Sequence, residues 1–164
     1  MTTKKTKNLT LDQIEKNIKK AYGNDAMTTI LELDHPRIPT GIIALDNILG
    51  GGFPKGRIVD LYGVPSGGKS GICYYFVAQA QKEGKCVFID LENSYDAALA
   101  QRSGVDIDEL LVVTLETAES VLELVEQLCL TGEVSAVIID SWAGLVPAAE
   151  LEGDIGDSHV DLLS

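Results

Sequence analysis

Apolar and polar positions along this chain change period at a few clear points. Between Thr10 and Tyr22, the apolar residues Leu11, Ile14, Ile18 and Ala21 or Tyr22 recur at three- and four-residue steps among lysines and acids. That spacing lays one apolar stripe on a helix. Thr10-Leu11-Asp12-Gln13 opens the run as a capping box: the Thr10 hydroxyl accepts from the third N–H and Gln13 reaches back. With Gly23 as the stop, the pattern predicts a short amphipathic helix over 11–22. A helix of this length is marginal alone in water, so its stripe needs a surface, either in this chain or on a neighbouring subunit. Residues 24–41 lose the period, with Ile30-Leu31 as one apolar patch. Pro36 and Pro39 bracket Ile38 and discourage regular structure there. Ile42 to Leu49 reads as a short helix before the turn Gly50-Gly51-Gly52-Phe53-Pro54.

From Arg57 the pattern alternates. Strands are predicted at 57–62, 86–91, 111–115 and 135–140, and helices at 70–83, 95–103 and 118–131. The strands are continuous apolar runs such as Cys86-Val87-Phe88-Ile89 and Ala136-Val137-Ile138-Ile139, the mark of a parallel sheet covered by helices on both faces. Gly84, Gly104 and Gly132 sit where the helices should stop. The fold class is therefore α/β. Residues 1–33 form an N-terminal helix and linker, and residues 34–164 form the core.

Composition changes this picture little and charge somewhat more. The 164 residues are 45% hydrophobic, enough for one packed core. No stretch approaches the roughly 18 uncharged apolar residues of a membrane helix, and no apolar segment follows the N-terminal lysines as in a secretory leader. Cys73, Cys86 and Cys129 each lie in an apolar stretch. They are expected to be small buried hydrophobes in a reducing, cytoplasmic setting. The net charge of −12 is unevenly spread: residues 1–22 hold six lysines and two acids, while residues 90–164 hold only Arg102 against 17 acids. That acidic half argues against tight electrostatic binding of nucleic acid by this chain alone.

The most informative local feature is Gly63-Val64-Pro65-Ser66-Gly67-Gly68-Lys69-Ser70, which fits the phosphate-binding loop G-x-x-x-x-G-K-[ST] between a predicted strand and a predicted helix. Glycines let successive backbone N–H groups turn towards phosphate, and the helix N-terminus adds partial positive charge. Lys69 can reach the β- and γ-phosphates, and the Ser70 hydroxyl can ligate Mg²⁺. In a parallel sheet the remaining groups of such a site come from the carboxyl ends of strands. Asp140 closes Ala136-Val137-Ile138-Ile139-Asp140-Ser141 in the pattern of a Walker B aspartate, which would hold Mg²⁺ through its water shell. Phe88-Ile89-Asp90-Leu91-Glu92 ends the other strand. Glu92 is the candidate base for water attacking the γ-phosphate, Asp90 is its competitor, and spacing alone does not choose between them.

From Pro39 to Ser164 the chain resembles the bacterial RecA recombinase family. The segments that carry the resemblance are Thr40-Gly41-Ile42-Ile43-Ala44-Leu45-Asp46, Gly56-Arg57-Ile58-Val59, Gln81-Lys82-Glu83-Gly84-Lys85, Phe88-Ile89-Asp90, Gly104-Val105-Asp106-Ile107-Asp108 and Asp140-Ser141. The most specific is Glu150-Leu151-Glu152-Gly153-Asp154-Ile155-Gly156-Asp157-Ser158-His159, which matches the start of the family's first DNA-binding loop. The resemblance implies a RecA-like ATPase core with ATP and Mg²⁺ as cofactors. It gives Glu92 the water-activating role, Lys69, Ser70 and Asp140 their phosphate and metal roles, and Asp96 the adenine amino group. It implies coupling to DNA through Gly156, Asp157, Ser158 and His159, and a match of the N-terminal helix to the family's subunit-contact helix. The implied function is ATP-dependent binding of single- and double-stranded DNA in a homo-oligomeric filament, with strand exchange in recombination, DNA repair and the SOS response. The rival reading is a regulatory or inactive RecA-like nucleotide-binding protein that docks on recombinase filaments.

Some positions depart from the family. Ser70 stands where threonine is usual, Leu99 where a tyrosine stacks on adenine, and Asn93 and Trp142 where small or histidine residues are usual. Tyr95 lies near Leu99, and Trp142 is expected to be core. The family's core also continues beyond the position matching Ser164, with a further strand between the phosphate-loop strand and the strand ending at Asp140. The expectation is therefore that strands 111–115, 86–91 and 135–140 lie side by side, that strand 57–62 lacks its neighbour, and that a complementing C-terminal segment completes the protein.

Overall fold

The computed structural model describes residues 9–26 and 35–147. Gly156 to His159, expected in a DNA-binding loop, and the apolar patch Ile30-Leu31 lie outside the described residues. The described residues divide into two units, one ending at Pro36 and one beginning at Arg37.

The first unit holds α1, Leu11–Tyr22, the helix expected from the stripe. Its capping box forms in full: Gln13 N–H donates to Thr10 Oγ1 at 3.4 Å, and Thr10 N–H donates to Gln13 Oε1 at 3.1 Å. Gly23, at φ +92°, ends the helix and donates its N–H to Lys19 O. Lys19 Nζ donates to Glu15 Oε1 at 2.8 Å, and that partner holds the Glu15 carboxyl below its ordinary value. No residue of α1 is buried, and Leu11 and Ile14 of its apolar stripe are exposed.

The second unit begins with β1 (Arg37–Ile38), α2 (Ile43–Leu49) and β2 (Phe53–Pro54). β1 and β2 pair antiparallel, so the prolines around Ile38 do not prevent a short ladder. The close approach depends on Gly52, where a Cβ would fall 2.0 Å from Ile38 O. Between the two strands, the fully buried Thr40 directs both its N–H and its hydroxyl at Asp46 Oδ1, each at 2.7 Å. These bonds, the hydroxyl first and the backbone second, hold the Asp46 carboxyl below the usual aspartate range.

α3 (Lys69–Ala80), β3 (Lys85–Asp90), α4 (Ala97–Arg102), β4 (Leu110–Val113), α5 (Ala118–Thr131) and β5 (Val134–Asp140) complete the unit. The strands form a parallel sheet in the order β4-β3-β5, the side-by-side arrangement expected from the resemblance. Alternation along β3 separates two cores. Cys86 and Phe88 pack with Tyr74 and Val77 of α3 and Ala100 of α4. Val87 and Ile89 pack on the opposite face with Ala118 and Val121 of α5. Burying a side chain such as Phe88 is worth about 2–3 kcal/mol, and both faces of β3 are covered in this way.

Three expectations are corrected. Residues 57–62 form no strand and join no sheet among the described residues. Ile58 is 101% exposed, and Val59 and Tyr62 are also exposed. Among the described residues β5 pairs with β3 alone, and an apolar run with no ladder alongside it has nothing to order it as a strand. Trp142 is not core but 56% exposed. The chain leaves β5 in a single 3₁₀ turn, Trp142–Gly144, and it is Leu145 that enters the core. Cys129 is exposed on α5, while Cys86 is buried and Cys73 is partly covered.

Candidate functional site

The phosphate loop leads directly into α3. Gly68, at φ +86°, is the N-cap, and no side chain caps the first turn, so the leading N–H groups of the helix are available to an anion. Gly67 N–H donates to Val64 O at 3.1 Å, and a Cβ on Gly67 would lie 2.9 Å from that oxygen. The loop is thus too tight for a side chain at 67 and needs a left-handed residue at 68. Ser66 also has positive φ, +59°. Gly63, Val64 and Pro65 are exposed at the start of the turn, and nothing in the packing requires glycine at 63. Lys69 Nζ donates to Gly63 O and Val64 O, both at 3.3 Å, which holds the ammonium against the first half of the loop.

Ser70 lies one residue into α3, and its hydroxyl donates to Asp140 Oδ2 at 2.7 Å across 70 positions of sequence. The helix start and the end of β5 therefore bring together the two groups expected at a metal. One hydroxyl and one carboxylate suit a magnesium ion that keeps most of its waters and takes the rest of its shell from phosphate. Among the described residues no cluster of three or more His, Cys, Asp and Glu gathers at a point. Cys73, one helical turn from Ser70, has its thiol pushed up to about 11 by burial and then by the Asp140 charge.

The two acids at the end of β3 and just beyond it separate by geometry. Asp90 pairs in register with Asp140 and is only 5% exposed. Its Oδ1 accepts from Ser94 N–H at 3.0 Å and its Oδ2 from Tyr95 N–H at 2.9 Å. Both oxygens thus hold the following loop in place. Glu92 is exposed on that loop, before Asn93 at φ +53°, and its Oε1 accepts a hydrogen bond from the Ser141 hydroxyl. Of the two, Glu92 is the carboxylate whose surroundings leave room for water.

Asp96 caps α4: its Oδ1 accepts from Leu99 N–H at 2.8 Å, and its own N–H donates to the Tyr74 hydroxyl at 3.0 Å. Leu99 is exposed one turn further on. Tyr95 is not an alternative stacking ring, because it packs into the core with centroids 5.3 Å from Phe88 and 5.6 Å from Tyr74. Burial pushes its phenol up.

Sequence reasoning did not single out Ser141 as a contact of Glu92, nor the anchoring role of Asp90. The available signal for Asp90 was an aspartate followed closely by residues whose N–H groups it could accept. An open hollow of about 530 Å³ lies at the other end of the strands, among Gln81, Glu83, Lys85, Asp106, Glu109 and Glu133. Its polar groups are largely satisfied internally: Lys85 pairs with Glu109, Lys55 pairs with Glu83, and the Gln81 amide bonds both backbone groups of Asp106.

The family described as the RecA N-terminal domain matches residues 7–164. Protein RecA of Bacillus pumilus is 45% identical over 157 residues, covering 93% of this chain and 45% of that protein. Protein RecA of Thermus thermophilus is 44% identical over 162 residues, covering 96% and 48%. Protein RecA of Bacillus subtilis is 44% identical over 157 residues, covering 93% and 45%. The chain spans about half the length of these curated relatives.

Proposed function

The chain belongs to the bacterial RecA family, matching its N-terminal domain, and on that premise we propose that it is the nucleotide-binding part of an ATP-dependent recombinase. Residues 34–164 act as the ATPase core and residues 1–33 as a subunit-contact arm. Bound Mg·ATP supplies the phosphoanhydride bond and the metal charge. The backbone N–H groups from Gly63 to Gly68, Pro65 excepted, would face its phosphates, Lys69 would add an ammonium, Ser70 and Asp140 would hold the metal, and Glu92 would orient water. Asp96 serves the adenine amino group, and the residues Gly156, Asp157, Ser158 and His159 couple the site to DNA. In the completed protein this is a DNA-dependent ATPase that forms a filament on single-stranded DNA, takes up double-stranded DNA and serves cytoplasmic recombination, repair and the SOS response.

The observation that carries this reading is the Ser70–Asp140 hydrogen bond beside a loop with no room for a side chain at 67 and a left-handed backbone at 68. Two further features support a complementing polypeptide segment: among the described residues β5 is paired on one side only, and Ile58, Val59 and Tyr62 of the run 57–62 are exposed. Such a segment would supply a strand between them.

A second reading is favoured by α1, whose Leu11 and Ile14 are exposed. In that reading the chain docks through Leu11 and Ile14 on a recombinase filament and modulates it without strand exchange.

Nucleotide binding and turnover test the first reading. Lys69→Ala is expected to weaken Mg·ATP binding about 10- to 100-fold, as for a lost hydrogen bond to a charged group. With the second half of the protein supplied, Glu92→Gln should lower hydrolysis stimulated by single-stranded DNA by about 10²-fold or more. Wild-type binding by Lys69→Ala would reduce the loop to a turn. Ile14→Asp abolishing co-assembly with a full-length recombinase, in a chain without turnover, would favour the second reading.

A further inference from the structure

Glu92 sits on an exposed loop, and a glutamate side chain on a surface loop ordinarily samples several rotamers. A group that orients water must instead be held in one geometry. The backbone beneath Glu92 is already fixed on two sides. Asp90 accepts the N–H groups of Ser94 and Tyr95. Leu91 N–H donates to Asp140 O at 2.8 Å, and Gly144 lies so close that a Cβ there would be 3.0 Å from the Leu91 side chain. These contacts hold the main chain and leave the carboxylate of Glu92 to be oriented separately.

We propose that Ser141 is the positioning residue for Glu92: its hydroxyl donates to Oε1 and thereby presents Oε2 to water. The inference rests on the reading of Glu92 as the water-orienting carboxylate. Ser141 follows Asp140 directly, so the residue that fixes Glu92 and the residue that takes the Ser70 hydroxyl belong to one continuous stretch of backbone. The 3₁₀ turn after β5 adds rigidity, because Gly144 N–H donates to Ser141 O at 2.9 Å. The metal-holding and water-orienting groups therefore share a rigid support, and a shift of one shifts the other. A hydroxyl is the smallest side chain that can donate here without adding charge. Alanine removes the donor and threonine keeps it.

The test has two readouts. Side-chain couplings measured by NMR on the chain itself should show Glu92 in one dominant rotamer in the wild type, averaged rotamers in Ser141→Ala, and the dominant rotamer restored in Ser141→Thr. In the protein completed with its second half, Ser141→Ala should lower kcat on the order of 10-fold, part of what misplacing a catalytic group costs. KM for ATP should be unchanged, and Ser141→Thr should recover most of the rate. An averaged Glu92 in the wild type, or a Glu92 rotamer unaltered by Ser141→Ala, overturns the proposal whatever the rate does. A loss in KM rather than kcat, without rescue by threonine, would make Ser141 a part of the fold and overturn it equally. Glu92→Gln serves as the control: full hydrolysis in that variant would show that the reading of Glu92 had failed, even with the rotamer fixed by Ser141.

Discussion

Residues 85–90 and residues 57–62 are alike in sequence and opposite in structure. Each is a six-residue run of mostly apolar side chains around one acid, Lys85-Cys86-Val87-Phe88-Ile89-Asp90 and Arg57-Ile58-Val59-Asp60-Leu61-Tyr62. The first is a strand with a parallel neighbour on each side and a helix over each face. The second has no ladder among the described residues and leaves Ile58 fully in solvent. Side-chain character is therefore not what distinguishes a strand from a loop here. The backbone N–H and C=O groups need partners, and those partners come from elsewhere in the chain or from another chain. The phosphate loop hangs between these two kinds of region: its far end is built into α3 and its near end follows the run 57–62, which forms no strand among the described residues.

The widest gap between the two runs should appear in stability. Phe88→Ala removes a ring packed against Tyr74 and Tyr95 and is expected to cost about 3–5 kcal/mol. Ile58→Ala should stay within about 0.5 kcal/mol, as for an exposed side chain. Urea unfolding of the two variants measures both. A cost at Ile58 comparable to that at Phe88 would mean that residues 57–62 are paired after all.

A smaller effect is expected in the segment that precedes residues 57–62. Asp46 is held below its ordinary range by Thr40, so the stability it contributes is fully present above the unfolded aspartate pKa, near 4. That contribution is lost as pH falls through the lower, folded value. Thermal melts between pH 5 and pH 2.5 should fall less steeply for Asp46→Asn than for the wild type. Parallel curves would remove Asp46 as an anchor.

The smallest contrast is chemical. Cys73 lies between the loop and the sheet with its thiol pushed up to about 11, and Cys129 is exposed on α5. Iodoacetamide at pH 8 should label Cys129 first and spare Cys73 until the chain unfolds, a result that peptide mapping reads directly. Early labelling of Cys73 would show that α3 is not seated on β5.

What was legible in the sequence follows the same division. α1 and α5 match their expected ranges, 11–22 and 118–131, because caps and apolar stripes are local rules. The order β4-β3-β5 came from the family resemblance and not from the apolar pattern, since a parallel register is set by contacts far apart in sequence. The strand expected at 57–62 does not form for the complementary reason: an apolar pattern is local, and among the described residues no ladder lies beside it. The structure places Asp90 and Asp140 at the last positions of β3 and β5 with Glu92 just beyond β3, yet spacing alone does not tell the surroundings of Asp90 from those of Glu92. That difference depends on where the backbone turns after Asp90, and on a hydroxyl at 141 that is 49 residues from Glu92 in sequence. Trp142, expected in the core, is exposed because the turn after β5 sends Leu145 inward instead.

That outward tryptophan has an optical consequence. It is the single indole in the chain, it is more than half open to water, and it directly follows Ser141. Its fluorescence should be red-shifted at rest and should respond to whatever settles near the Ser70–Asp140 pair. The protein carries its own dye for its candidate site.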